Sequence, residues 1–169
     1  MTGQPMPNPS QPQLLIIGVG NPFRGDDAAG LLAVRRLKSA GLGSAQIMEH
    51  SGEGASLMEA WKGARAVILI DAVSSGGRPG TIYRLEPASK PLPAEMFQGS
   101  THAFSIPQAI EMSRALNELP RQVVIFGIEG KNFQAGTELS AEVNGALPEL
   151  VRRVLEEAAS IETTVRNGE

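Results

Sequence analysis

The sequence has no cysteine. That absence removes disulfide staples, thiolate metal sites and cysteine nucleophiles together, so any chemistry must be carried by oxygen and imidazole. Imidazole is itself scarce, with His 2 in 169 residues. Long apolar runs are missing as well: the longest, ending at Ile70, is about five residues, far short of a membrane span. The opening stretch MTGQPMPNPSQPQ lacks the basic start and apolar core of a secretory signal, and residues 1–13 are expected to form a flexible tail. No excess of one charge is present either, since Lys+Arg 15 against Asp+Glu 18 leaves a net charge of -3. There is then no broad attraction for nucleic acid or anionic lipid. These absences together predict a soluble, cytoplasmic protein with no nucleic-acid or membrane partner.

What is present fits one domain. A length of 169 residues with 41% hydrophobic residues fills a single core. Apolar runs at Leu14–Ile17, Ala66–Ile70, Thr81–Leu85 and Val123–Ile128, with a shorter one at Gln46–Met48, read as strands. Their continuous hydrophobicity calls for a sheet covered on both faces. Between them, Leu31, Val34 and Leu37 mark an amphipathic helix over 28–40, stopped by Gly41. Further helices are expected over 55–61, after Ser105 with Pro107 in the first turn, and after Ser140. In the last of these, Pro148 should bend or break the helix, and Arg152–Glu156 and Arg153–Glu157 have the spacing of surface ion pairs. The order β-α-β-α-β-β-α-β-α predicts a single α/β domain over 14–160, a three-layer sandwich whose mixed, mainly parallel central sheet is flanked by helices. Residues 161–169 are expected to be a second flexible tail.

The stretch GVGNPFRGDDAAG, residues 18–30, first looks like a phosphate-binding glycine loop. A dinucleotide fingerprint needs its third glycine at the position of Phe23, although Glu49 offers an acid for a ribose. Asp26 and Asp27 would also place negative charge where a helix start should receive a pyrophosphate. The sign is wrong for a nucleotide and right for a metal. A purely structural account is open too, one acid capping the helix and the other meeting its dipole, for about 1 kcal/mol.

Other strand ends bear on that choice. Asp71 directly follows the run Ala66–Ile70, at the carboxyl end of a central strand, where open α/β sheets collect ligands. It could otherwise simply open the turn through Val73–Gly77. His102, in GSTHAFS, precedes the third helix. Two carboxylates and one imidazole would suit a borderline ion such as Ni²⁺ or Zn²⁺ better than Mg²⁺. Ser51, Asp71 and His102 also occur in the order of an α/β-hydrolase triad, but Glu49 and Glu53 stand where a nucleophile elbow needs glycines. Glu49 and His50 read as an exposed strand end.

GVGNPFRGDDAAG, VILIDAV and GSTHAFS, in that order, resemble the hydrogenase maturation proteases, endopeptidases that trim the C-terminal extension of nickel-iron hydrogenase large subunits. The resemblance continues through GIEGKNFQAGTELSAEVNGALPELVRRVL. It implies that Asp27, Asp71 and His102 are the catalytic and metal-contacting residues, with Gly20 and Asn21 shaping the turn that aims Asp27. Asp26 would cap the helix. It also implies that the metal is nickel, supplied by a nickel-loaded hydrogenase large-subunit precursor rather than held as a permanent cofactor. Two other readings accompany it: a nucleotide-binding module or oxidoreductase built on Gly18, Gly20 and Glu49, and a non-catalytic nickel-sensing chaperone. The proline-containing loop 86–101 is long enough for a recognition edge.

Overall fold

The computed structural model describes residues 12–97 and 104–167. The sheet contains β1 (Leu14–Val19), β2 (Gln46–His50), β3 (Ala66–Val73), β4 (Ile82–Leu85) and β5 (Gln122–Glu129). The helices are α1 (Ala29–Ala40), α2 (Gly54–Trp61), α3 (Ile106–Ala115) and α4 (Ala141–Asn167). Strand order is β2-β1-β3-β5-β4. Only β4 runs antiparallel, along β5, so the sheet is mixed and mainly parallel.

Side-chain alternation divides the apolar strands between two cores. Ile16, Ile68, Ile70, Val124 and Phe126 face α1 and α4, meeting Val34, Leu37, Leu147 and Val154. Ile17, Val67, Leu69 and Ile125 face α2 and α3, meeting Leu57, Trp61, Ala109 and Ile110. Continuous apolar runs were required because both faces are covered. The buried Trp61 indole N–H is satisfied by the Ser113 hydroxyl at 3.1 Å.

Two features of α4 differ from expectation. Pro148 lies inside one continuous helix. The stripe of Leu147, Leu150 and Val154, all buried, carries the helix across it. The helix also continues through 161–167, the segment expected to be a tail, with Ile161 buried against the core. Its ion pairs differ in part as well. Arg152 pairs with Glu156, whereas Arg153 turns back to Glu149, because Glu157 receives Arg84 of the edge strand at 2.8 Å. Among the described residues, no helix is long and apolar enough to cross a membrane.

The topology places a crevice. From β1 the chain passes through α1 to β2 on one side, then through α2 to β3 on the other side of β1. The sheet therefore has a switch point at the carboxyl ends of β1 and β3, where such folds leave room for a ligand.

Candidate active site

The turn after β1 is shaped by backbone contact. A Cβ at Gly20 would lie 1.9 Å from the Asp27 carbonyl oxygen, and one at Gly30 would lie 2.3 Å from that of Ile70. Glycine at these positions lets the chain fold back tightly and lets α1 press directly on the sheet. Gly30 thus supplies the close helix-to-strand packing that a dinucleotide fingerprint would assign to the position of Phe23. Glu49, the ribose ligand of that reading, is an exposed partner of Arg35 on the sheet edge. Within the turn, the Asn21 side chain accepts the Phe23 N–H at 2.9 Å, and the Asn21 N–H donates to the Asp27 carboxylate at 3.0 Å. Gly20 and Asn21 therefore shape the turn around Asp27, and Asn21 tethers its carboxylate.

Asp26 does not cap α1, whose first turn has no side-chain cap. Its fully buried carboxylate instead accepts the backbone N–H groups of Lys131 (2.8 Å), Asn132 (2.9 Å) and Ser140 (2.7 Å), and the Ser140 hydroxyl (2.9 Å). Burial by itself raises the Asp26 pKa, but these hydrogen bonds outweigh it and hold the carboxyl below its ordinary value. Backbone bonds reinforce the clamp, from Gly25 N–H to Gly136 and from Gly136 N–H to Phe23, each 2.9 Å.

Asp71 lies within β3 rather than after it. Pairing of β3 with β1 ends at Gly18↔Ile70, while pairing with β5 continues through Asp71↔Gly127 to Val73↔Glu129. Asp71 is thus held on one side and open toward the crevice on the other. It has the strand parity of Leu69 and Val73, the face covered by α2 and α3. Burial above all, then the charge of Asp27, pushes its carboxyl well above the usual carboxylate range, against one favourable backbone N–H from Ala72.

Asp27 and Asp71 line one cleft of about 210 Å³, together with Asn21, Pro22, Arg24, Ser51, Phe97, Ser105 and other residues. His102 falls in 98–103, outside the described residues. The residues on either side of that segment are anchored at the cleft. The Ser74 N–H donates to the Met96 carbonyl and the Gly54 N–H to the Phe104 carbonyl, both at 2.9 Å, and Phe97 and Ser105 line the cavity. Ser105 opens α3 in a capping box, its N–H bonded to Gln108 at 3.1 Å. The two ends of loop 86–97 are likewise held, with Met96 and Phe97 buried and the Arg114 guanidinium on the Pro87 carbonyl at 3.0 Å. Among the described residues there is no group of three or more His, Asp or Glu close enough to hold a metal ion.

One buried acid was missed from sequence. Glu129, at the carboxyl end of β5, accepts the Ser75 N–H (2.9 Å) and hydroxyl (2.6 Å), and Ser75 in turn contacts the Tyr83 hydroxyl at 3.1 Å. It fixes the turn after β3, next to the Ser74–Met96 link. The signal that singled out Asp71, an acid ending an apolar strand, was equally available for Glu129.

The fold and site define an α/β protein with a paired-carboxylate cleft at its topological switch point. The chain belongs to the hydrogenase maturation protease family, whose model matches residues 32–157 and so includes Asp71 and His102 while beginning after Asp27. It is therefore a peptidase. A hydrogenase expression/formation protein, HupD, from Thiocapsa roseopersicina is 23% identical over 163 residues, covering 95% of this chain and 74% of that protein. A putative hydrogenase maturation protease from Methanocaldococcus jannaschii is 27% identical over 150 residues, covering 85% and 95% respectively. Among solved structures, the hydrogenase maturating endopeptidase HybD from Escherichia coli shares the fold at a TM-score of 0.73 and 22% identity, covering 88% of this chain and 93% of that chain. The [NiFe] hydrogenase maturation protease HybD from Thermococcus kodakarensis has a TM-score of 0.65 at 25% identity, covering 86% and 99%.

Proposed function

We propose that this protein removes the C-terminal extension of a nickel-iron hydrogenase large-subunit precursor after nickel insertion, and that Asp27, Asp71 and His102 recognise the nickel carried by that precursor. The observation supporting this reading is the shared cleft of Asp27 and Asp71, beside which the chain on both sides of His102 is anchored. The nickel is part of the substrate. Two carboxylates and an imidazole, without thiolates, hold a free borderline ion only modestly, and cysteines of the precursor would complete its coordination. A cytoplasmic location belongs to the same reading.

The chemistry divides between the acids. Burial and the neighbouring Asp27 push the Asp71 carboxyl well above the usual carboxylate range, and a cation carried by the substrate would favour its ionised form. In this reading Asp27, half-buried and tethered by the Asn21 N–H, orients a water and takes its proton. The water oxygen adds to the scissile carbonyl carbon, the C–N bond breaks, and the proton passes to the departing amine.

The test incubates this protein with nickel-loaded and nickel-free precursor and follows the C-terminal mass of each. Loss of a C-terminal peptide from the loaded precursor alone is expected. Nickel-dependent binding without shortening would favour the chaperone reading, and neither binding nor cutting would remove the substrate assignment.

A further inference from the structure

Phe23 is 69% exposed, the most exposed large hydrophobic side chain among the described residues. Nothing in the core explains it, since an aromatic ring left in water contributes little to folding. Its backbone, by contrast, is fixed. The Phe23 N–H is held by the Asn21 side chain and its carbonyl by the Gly136 N–H, each at 2.9 Å. The next residue, Arg24, forms a bridge with Gly136. The neighbours of Phe23 on both sides, Pro22 and Arg24, line the cleft that contains Asp27 and Asp71.

Phe23 is therefore an exposed aromatic residue between two residues of the cleft lining, on a turn whose ordering is completed during folding. A contact made from such a turn loses little further backbone entropy on binding. An aromatic side chain with only two rotatable bonds is well suited to anchor a polypeptide. A substrate chain entering the cleft beside Pro22 and Arg24 would come within reach of the Phe23 side chain.

We infer that Phe23 is a substrate-contact residue, receiving an apolar side chain of the precursor segment that flanks the scissile bond. This rests on the proposed function, and it assigns binding to Phe23 while leaving bond cleavage to the acids.

The experiment measures KM and kcat on the nickel-loaded precursor, direct precursor binding, and Tm for the wild type, Phe23→Ser, Phe23→Leu and Leu116→Ser. Leu116 serves as the control because it is 55% exposed at the far end of α3 from the cleft. Phe23→Ser should raise KM about tenfold with kcat and Tm unchanged, the pattern of lost uniform binding. Phe23→Leu should stay near the wild type, and Leu116→Ser should match it. An unchanged KM in Phe23→Ser, a fall in kcat alone, or an equal rise in KM for Leu116→Ser would each overturn the assignment. Wild-type protein that neither binds nor cuts the precursor would take down the proposed function and this inference together. Normal wild-type cutting with an indifferent Phe23→Ser would remove this inference alone.

Discussion

The carboxylate of Asp26 takes hydrogen bonds from both the amide and the hydroxyl of Ser140, at 2.7 and 2.9 Å, across a separation of 114 positions. Two chemically identical neighbours thus do opposite work. Asp26 turns inward and fastens the acid-bearing turn to the loop between β5 and α4, while Asp27 turns toward the cleft. The turn that aims the second acid is fixed by the first.

Asp26→Ala should therefore lose about 3 kcal/mol of stability or more, since it strands buried donors as well as deleting their acceptor. Urea unfolding measures this, and a loss below about 1 kcal/mol would show that the clamp is not holding the loop. Because the folded Asp26 pKa lies below its unfolded value, its stabilisation is complete above the ordinary aspartate range and fades as pH falls through the folded value. The acid limb of the wild-type stability curve should flatten in Asp26→Ala.

Asp71 carries the opposite sign. Its folded pKa is raised, so its contribution is fully present below the ordinary aspartate value and is lost as pH rises through the folded one. In the metal-free protein, Asp71→Asn should melt higher than the wild type at neutral pH, with the gap closing toward pH values of about 4. Thermal melts across pH check this, and a gap independent of pH would refute it.

The same raised pKa predicts proton release when the nickel-loaded precursor binds, because a ligating carboxylate must be ionised. Calorimetry in two buffers of different ionisation enthalpy should detect it for the loaded precursor and not for the nickel-free one. Equal proton release from both would exclude Asp71 as the group that meets the cation.

Asp71→Asn and His102→Ala should each abolish cleavage of the loaded precursor while retaining a cooperative thermal transition. Near-normal processing by both variants would remove the site assignment.

Gly20→Ala tests the turn itself. The added methyl would sit 1.9 Å from the Asp27 carbonyl oxygen, so that backbone must shift. A stability loss of about 1–3 kcal/mol is expected. A larger proportional loss of cleavage should accompany it, and wild-type turnover would show that the position of Asp27 is not critical.

The sequence by itself determined the number and order of the strands and α-helices, the end of α1 at Gly41, the start of α3 at Ser105 and the two-faced burial of the sheet, but not the short 3-10 helices at Gly25–Ala28 and Ala94–Phe97. These are local matters, written in apolar periodicity and in capping residues a few positions apart. It also brought forward the Asp26–Asp27 pair and Asp71 as acids near strand ends, and the family resemblance singled out Asp27 from the pair. Only the tertiary structure decided which member of the Asp26–Asp27 pair faces inward, since that depends on loop 131–140 arriving beside the turn. It likewise placed Asp71 inside β3, because β5 continues as a pairing partner after β1 has ended. The links from Glu129 to Ser75 and from Glu157 to Arg84 join side chains 54 and 73 positions apart. Residues that far apart meet only after strand order brings them together, and neither periodicity nor propensity contains that order.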